Sequence, residues 1–360
     1  MNPVKAFNHL FSPLGGTEAD NYRTPGQLSF LRAPFVPVFG DELKEASCDY
    51  AYIGVPFDEG NVGKPGCEDG PREFRVASLD YFPYWFEFNV DLNGSVVDCG
   101  DISMPRVNPE VARERIYNAV KFALDAGKTP IICGGDRSIS IPASKALSDH
   151  LGASKKMGYM HLGAHLDFAD SWAGESNVST CAMARITELP NLAAENVAHI
   201  GARNSFNPKD HIDLAKSRQV RFHPMAEVLE RGVGEVMDET IERVWGGTDG
   251  QYLSFNFNVM DSSVAPGVTA TETGGLESRE IMQIASRLGE TGGPSIIDVT
   301  ELCPMFDVSG STSRMAVCVV LRIMAGVAKL NGDTLDESLR RPGWTHIEYY
   351  RCCVPMHTGG

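Results

Sequence analysis

The strongest constraint on the fold of this chain is a recurring pattern of short apolar runs that end in polar residues. Met157–Met160 leads into HLGAHLDFAD at 161–170, IICGGDRS occupies 131–138, and LSFNFNVMD occupies 253–261. Continuous apolar runs suit parallel strands covered on both faces. Their polar ends then fall at the carboxyl edge of the sheet, where open α/β sheets place ligands. His165 and Asp167 stand two residues apart. On an extended reading their side chains point the same way, toward a common point at that edge.

The rest of the chain supports the same architecture. Further strands are expected at Tyr50–Val55, Val96–Asp101, Val197–Ala202, Val220–Phe222 and Ser295–Val299. Between the strands at 96–101 and 131–133, Pro109–Ala126 reads as a helix that opens on Pro and stops at Gly127. Thr312–Leu330 reads as a long, buried, apolar helix. Strand–helix alternation predicts an α/β domain of three layers, with a parallel sheet flanked by helices on both faces. No linker-like run interrupts the middle, so a single domain over 47–360 is expected. An arm over 1–46, mixed in Pro, Gly and polar residues, precedes it.

Composition narrows the partners. Net charge is −15, which disfavours nucleic acid and anionic membranes. No apolar stretch approaches the roughly 18 residues of a membrane span, and the N-terminus lacks the apolar region of a signal peptide. Nine dispersed cysteines without a CxxC pair suit a reducing, cytoplasmic setting. The adjacent Cys352 and Cys353 read as ordinary thiols.

Together, the three polar-ended segments resemble the ureohydrolase family of arginases and agmatinases, over roughly 51–330. The loop GVPFDEGNVGKPGCEDGPREFR (54–75), VVDCGD (96–101) and DVTELCPMFD (298–307) extend the resemblance. It implies an arginase-like fold and a loop at the mouth of the active site. It also implies six side chains that hold two metal ions, carried by GGDHS, DAHxD and SxDxD. Here these read GGDRS, GAHLD and SFNFN. Arg137 stands in the His slot, Gly163 in the first Asp slot, and Asn256 and Asn258 in both Asp slots of the third. His165 and Asp167 are kept.

Two hard dications need several anionic oxygens, and the family chemistry needs the metal-bridging hydroxide they generate. These slots supply one carboxylate, Asp167, and one permanent cation, Arg137. A bidentate Arg137–Asp167 pair would cancel both charges without metal. By resemblance, Asn177 takes a His position near the substrate, and Glu301 matches the carboxylate that meets the guanidinium. Asp136 and Asp261 are expected to cap or hold loops, and His161 and His199 to be structural.

The leading expectation is a catalytically silent subunit with no metal of its own. It resembles the degenerate subunit of heteromeric guanidine or biguanide hydrolases such as metformin hydrolase. It would pair with a homologous metal-binding subunit, carrying nickel or manganese, in a trimer or hexamer. Two alternatives stay open: an active one-metal hydrolase of a guanidino compound, using His165, Asp167 and an unplaced third ligand, or a metal-free guanidino-binding protein using Glu301.

Overall fold

A computed structural model of the chain describes residues 28–105 and 107–335. The tail from Trp344, with Cys352 and Cys353, lies outside them, as do residues 1–27 of the expected arm. Among the described residues, ten strands form: β1 Tyr50–Val55, β2 Tyr84–Trp85, β3 Val90–Asp91, β4 Val96–Asp101, β5 Thr129–Gly134, β6 Met157–Leu162, β7 Val197–Ile200, β8 Arg221–His223, β9 Gly250–Asn256 and β10 Ile296–Thr300. Strands β2 and β3 pair as a small antiparallel ribbon. The other eight form one sheet in the order β4-β1-β5-β10-β9-β6-β7-β8. Every pairing within it is parallel.

The continuous apolar runs serve this sheet because successive residues feed opposite faces. Ile131 and Cys133 point into one core and Ile132 into the other. The first core is covered by helices Gly70–Ser78, Val233–Trp245, Ser278–Glu290 and Ser311–Leu330. The second is covered by Pro109–Asp125, Ser140–Leu151 and Ala182–Ile186. Each fully buried Ile, Leu or Val contributes roughly 1.5–3 kcal/mol. Local signals start the helices. Asn108 accepts a hydrogen bond from the Val111 amide ahead of Pro109, and Glu277 and Glu280 form a reciprocal capping box. Helices Ser278–Glu290 and Ser311–Leu330 touch at Gly289 and Gly326. A Cβ on either glycine would lie 2.8 Å from the other's Cα.

Two departures from expectation shape the site. Strand β6 runs on through His161 and Leu162, which brings His161 to the edge of the sheet. Within the expected arm, Phe30 is fully buried and stacks on Tyr52 and Phe74, so the core reaches back to that residue. No helix among the described residues is long and apolar enough to cross a membrane.

Candidate functional site

The site forms where the carboxyl ends of β5, β6, β9 and β10 meet. These four strands are neighbours in the sheet, with β10 between β5 and β9. The loop after β1 closes over it. Asp136, at the end of β5, accepts hydrogen bonds from the amides of Gly60 (2.9 Å) and Ser138 (2.8 Å). Burial pushes its carboxyl up to about 7. Asp261 plays the same holding role outside the centre, accepting from the amides of Ser263 and Gly274.

Arg137 is completely buried. Its Nη2 donates to the Tyr159 hydroxyl at 3.0 Å. The expected bidentate pair with Asp167 is not formed: Arg137 Nε stands 3.5 Å from Asp167 Oδ2, and Nε and Nη1 have no hydrogen-bond partner in the protein. The reason lies in the direction of approach. Arg137 starts a short 3₁₀ turn after β5, and Tyr159 on β6, stacked on Tyr252 of β9 at 4.9 Å, takes one arm of its fork. Asp298 lies close enough to act on the guanidinium electrostatically, and its own Oδ2 accepts from Tyr252 and Ser140.

His165 and Asp167 do not face a common point. Strand β6 ends at Leu162, and Asp167 adopts a left-handed backbone with φ 54°. The two-residue alternation of an extended strand is lost there. Asp167 turns inward, toward Arg137 and His161. Its burial drives the carboxyl well above the usual range, against the pull of Arg137. His165 turns toward the mouth. Its Nδ1 accepts from Asn258 Nδ2 at 3.2 Å, so the proton sits on Nε2, 3.7 Å from Glu272 Oε1.

The two asparagines act as donors. Asn256 and Asn258 place their Nδ2 atoms 2.7 Å and 3.2 Å from the same oxygen of Glu301, Oε2. Their own oxygens accept backbone amides, Asn258 and Ala164 respectively. Glu301 is 7 % exposed and, like Asp167, sits at positive φ (64°), a conformation costing of order 1–3 kcal/mol for a residue with a side chain. Burial raises its carboxyl pKa. Asn177 lies in a half-buried bend after the Trp172–Glu175 bridge. Among the described residues it forms no hydrogen bond to this group.

Sequence reasoning gave His161 a structural role, yet its side chain enters the centre. It is fully buried, its Nε2 lies 3.8 Å from Asp167 Oδ2, and neither ring nitrogen has a hydrogen-bond partner in the protein. Gly163 permits this, because His161 lies against the place where a side chain at 163 would begin. The signal was present in the sequence: positions 161 and 163 share one face of a strand. Burial and the nearby Arg137 hold the His161 pKa well below its ordinary value. His199 keeps its expected structural part, with Nε2 bonded to the His165 carbonyl at 2.8 Å. Among the described residues, the one group of three His, Cys, Asp or Glu side chains close enough to share an ion is His223, Glu227 and Glu239. It lies at edge strand β8, and Arg221 and Arg231 already hold both carboxylates.

Comparison with known proteins agrees with this architecture. The model of the arginase family matches residues 48–326. The guanidinobutyrase of Pseudomonas aeruginosa is 30% identical over 332 residues, covering 89% of this chain and 99% of that protein. The formimidoylglutamase of Halalkalibacterium halodurans is 28% identical over 280 residues, covering 77% and 86%. Among solved structures, proclavaminate amidino hydrolase from Streptomyces clavuligerus superposes with a TM-score of 0.76 at 26% identity, covering 86% of this chain and 99% of that one. With a matched family model over most of its length and the sheet order and site placement described above, this chain belongs to the arginase family.

Proposed function

We propose that this chain is a catalytically silent arginase-family subunit. It assembles with a homologue that carries a complete metal-ligand set, and the assembly hydrolyses C–N bonds of guanidine or amidine type, with biguanides such as metformin among its candidate substrates. The observation that carries this reading is the buried guanidinium of Arg137 at the centre, beside Asn256 and Asn258, whose amides donate to Glu301.

These residues do not fit a pair of dications. Arg137 cannot shed its proton, and a dication beside it meets repulsion in a medium that screens poorly. The asparagines point N–H groups, not lone pairs, into the centre, at Glu301. The space beside Gly163 is filled by His161. Without the metals, no group here generates hydroxide near neutral pH. Glu301, engaged by two amides, is poorly placed to receive a guanidinium. The family relationship supports a folded subunit with family-type interfaces, and closed symmetric oligomers allow a related chain to replace a like one. Nickel or manganese is expected in the partner, in a trimer or hexamer.

One observation favours a second reading. His161, in place of the outward-turned His165, sets an imidazole beside Asp167, with Nε2 3.8 Å from Oδ2 and no hydrogen-bond partner in the protein. One experiment separates the two. The isolated chain, with and without added nickel or manganese, is assayed on agmatine, 4-guanidinobutyrate and metformin. It is then coexpressed with a ligand-complete homologue from the same cell. Silence alone, with copurification and turnover that depend on the homologue's ligands, is the expected result. Metal-dependent turnover by the isolated chain overturns it.

A further inference from the structure

The ribbon of β2 and β3 carries the most aromatic stretch of the chain, YFPYWFEF at 81–88, and the centre uses none of it. Its rings divide between two sides. Trp85 and Phe88 turn inward and join the first core, where the Arg322 guanidinium lies over both rings at 5.7 Å and 5.2 Å. Phe82, Tyr84 and Phe86 are instead 63 %, 42 % and 58 % exposed. Three large rings exposed within one short stretch mark a surface built to be covered. The described residues end against this same ribbon. Thr334 bridges Val90 in the antiparallel sense. The Leu335 amide donates to the Asn89 carbonyl at 2.9 Å, and Asn89 Nδ2 donates to the Leu335 carbonyl at 2.8 Å. Val90 pairs with Trp85 on its other side, so 334–335 lies along the outer edge of β3. A segment antiparallel to β3 runs toward the turn at 86–89 that joins the two strands. Leu335 therefore delivers the chain to Phe86.

We infer that the aromatic face of this ribbon is the docking surface for the chain's own C-terminal segment, 336–350, with Trp344, Tyr349 and Tyr350 covering Phe82, Tyr84 and Phe86. The sequence that follows Leu335 suits the task, because Leu339, Trp344, Ile347, Tyr349 and Tyr350 all fall within it. Aromatic rings pair well with aromatic rings, in offset or edge-to-face contact. The reach is sufficient. From Phe86 back to Phe82 is about 13 Å of extended strand, and the stretch from Leu335 to Trp344 can span about 30 Å. The segment also has an advantage over any separate partner. It is already tethered at the edge of β3, so its effective concentration at the ribbon is of millimolar order.

The test is limited digestion of the full chain with trypsin, read by mass spectrometry at the bond after Arg340, in the middle of the segment. A docked segment must leave the ribbon before it is cut, so the cleavage rate follows the undocked fraction. Phe86→Ser and Trp344→Ser should each speed cleavage about fivefold, and Leu229→Ser, an exposed apolar residue on another helix, should not. Hydrogen exchange supplies the reciprocal reading, which a misfolded Phe86→Ser cannot imitate. Trp344→Ser should speed exchange at 81–91 about fivefold and leave the eight-stranded sheet unchanged. Three outcomes overturn the inference. Equal cleavage in wild type and both variants would mean that the segment does not depend on the ribbon. Faster cleavage in Trp344→Ser with unchanged exchange at 81–91 would place the segment elsewhere. Protection lost on hundredfold dilution would assign the ribbon to a neighbouring copy's segment rather than the chain's own.

Discussion

A Cβ placed on Gly163 would lie 2.6 Å from Nε2 of His161. A side chain at 163 would therefore have to displace the His161 ring. An aspartate at 163 needs space that His161 holds, and His161 is fully buried, with His199 packed edge-on at 4.9 Å. Restoring the four family ligands (Arg137→His, Gly163→Asp, Asn256→Asp, Asn258→Asp) should then leave the first metal position obstructed. Adding His161→Val should clear it. Elemental analysis after manganese loading should find substantially more metal in the five-fold variant than in the four-fold one. Equal metal content in both would show that His161 yields and the two positions are independent.

Arg137 should be a stability residue. Its fork holds the Tyr159 hydroxyl and faces Asp167 with no exposure to solvent. Arg137→His shortens the side chain and leaves a buried hydroxyl and a buried carboxyl without their cation, at a cost of about 3 kcal/mol. Arg137→Lys keeps the charge without the planar fork and should lose less. Urea unfolding of the three proteins checks the order. Equal midpoints for wild type and Arg137→His would remove the guanidinium from the account of how this centre is held.

Much of the fold was legible because parallel strands buried on both faces leave a sequence signature that does not depend on partners. The runs at 50–55, 131–133 and 253–257 fall on β1, β5 and β9 for that reason. The site was legible as a set of positions and less so as geometry. Asp167 and His165 diverge because the backbone at Asp167 turns left-handed, and an Asp in that conformation looks no different in sequence from an Asp in a strand. Arg137 misses its bidentate pair because Tyr159, on β6 three strands away in the sheet, takes part of its fork. His161 reads as core, a lone His in an apolar run, and it is fully buried; only the glycine two residues on marks that the space it fills lies at the centre.

Asp136 should impart a pH dependence of definite sign. Burial raises its carboxyl from 3.8 to about 7 in the folded chain. Its contribution to stability is therefore fully present below about pH 4 and declines as pH rises toward 7. Asp136→Asn lacks that decline, whatever constant offset the substitution brings through the Gly60 and Ser138 bonds. The variant should gain on wild type by up to about 4 kcal/mol between pH 4 and pH 7, and by nothing further above that range. His199 works in the opposite direction, because burial depresses it to about 3, so its stability contribution is lost as pH falls from 6.5. The comparison must therefore be the difference between the two proteins at each pH, measured by urea midpoints. A flat difference would mean that Asp136 is ionised in the fold throughout.

The asparagines give the sharpest test of whether this centre is built to stand without metal. Asn256 Nδ2 donates to Glu301 Oε2 at 2.7 Å. Asn256→Asp replaces that donor with a second carboxylate at nearly the same separation, in a place where both residues are buried. Two carboxylates so close cannot both ionise, and one takes up a proton with a raised pKa. The pair stabilises the fold least at high pH, so Asn256→Asp should lose about 2–4 kcal/mol relative to wild type at pH 8 and recover part of that at pH 5. Divalent cations decide what the loss means. In a centre that still accepts metal, millimolar manganese at pH 8 would neutralise the two carboxylates and restore the thermal midpoint. With Arg137 and His161 in place, manganese should leave the midpoint of Asn256→Asp unchanged, and only removal of both should make it respond. A rise in the midpoint of the single variant with manganese would show that a dication enters beside the guanidinium, which the silent-subunit reading forbids.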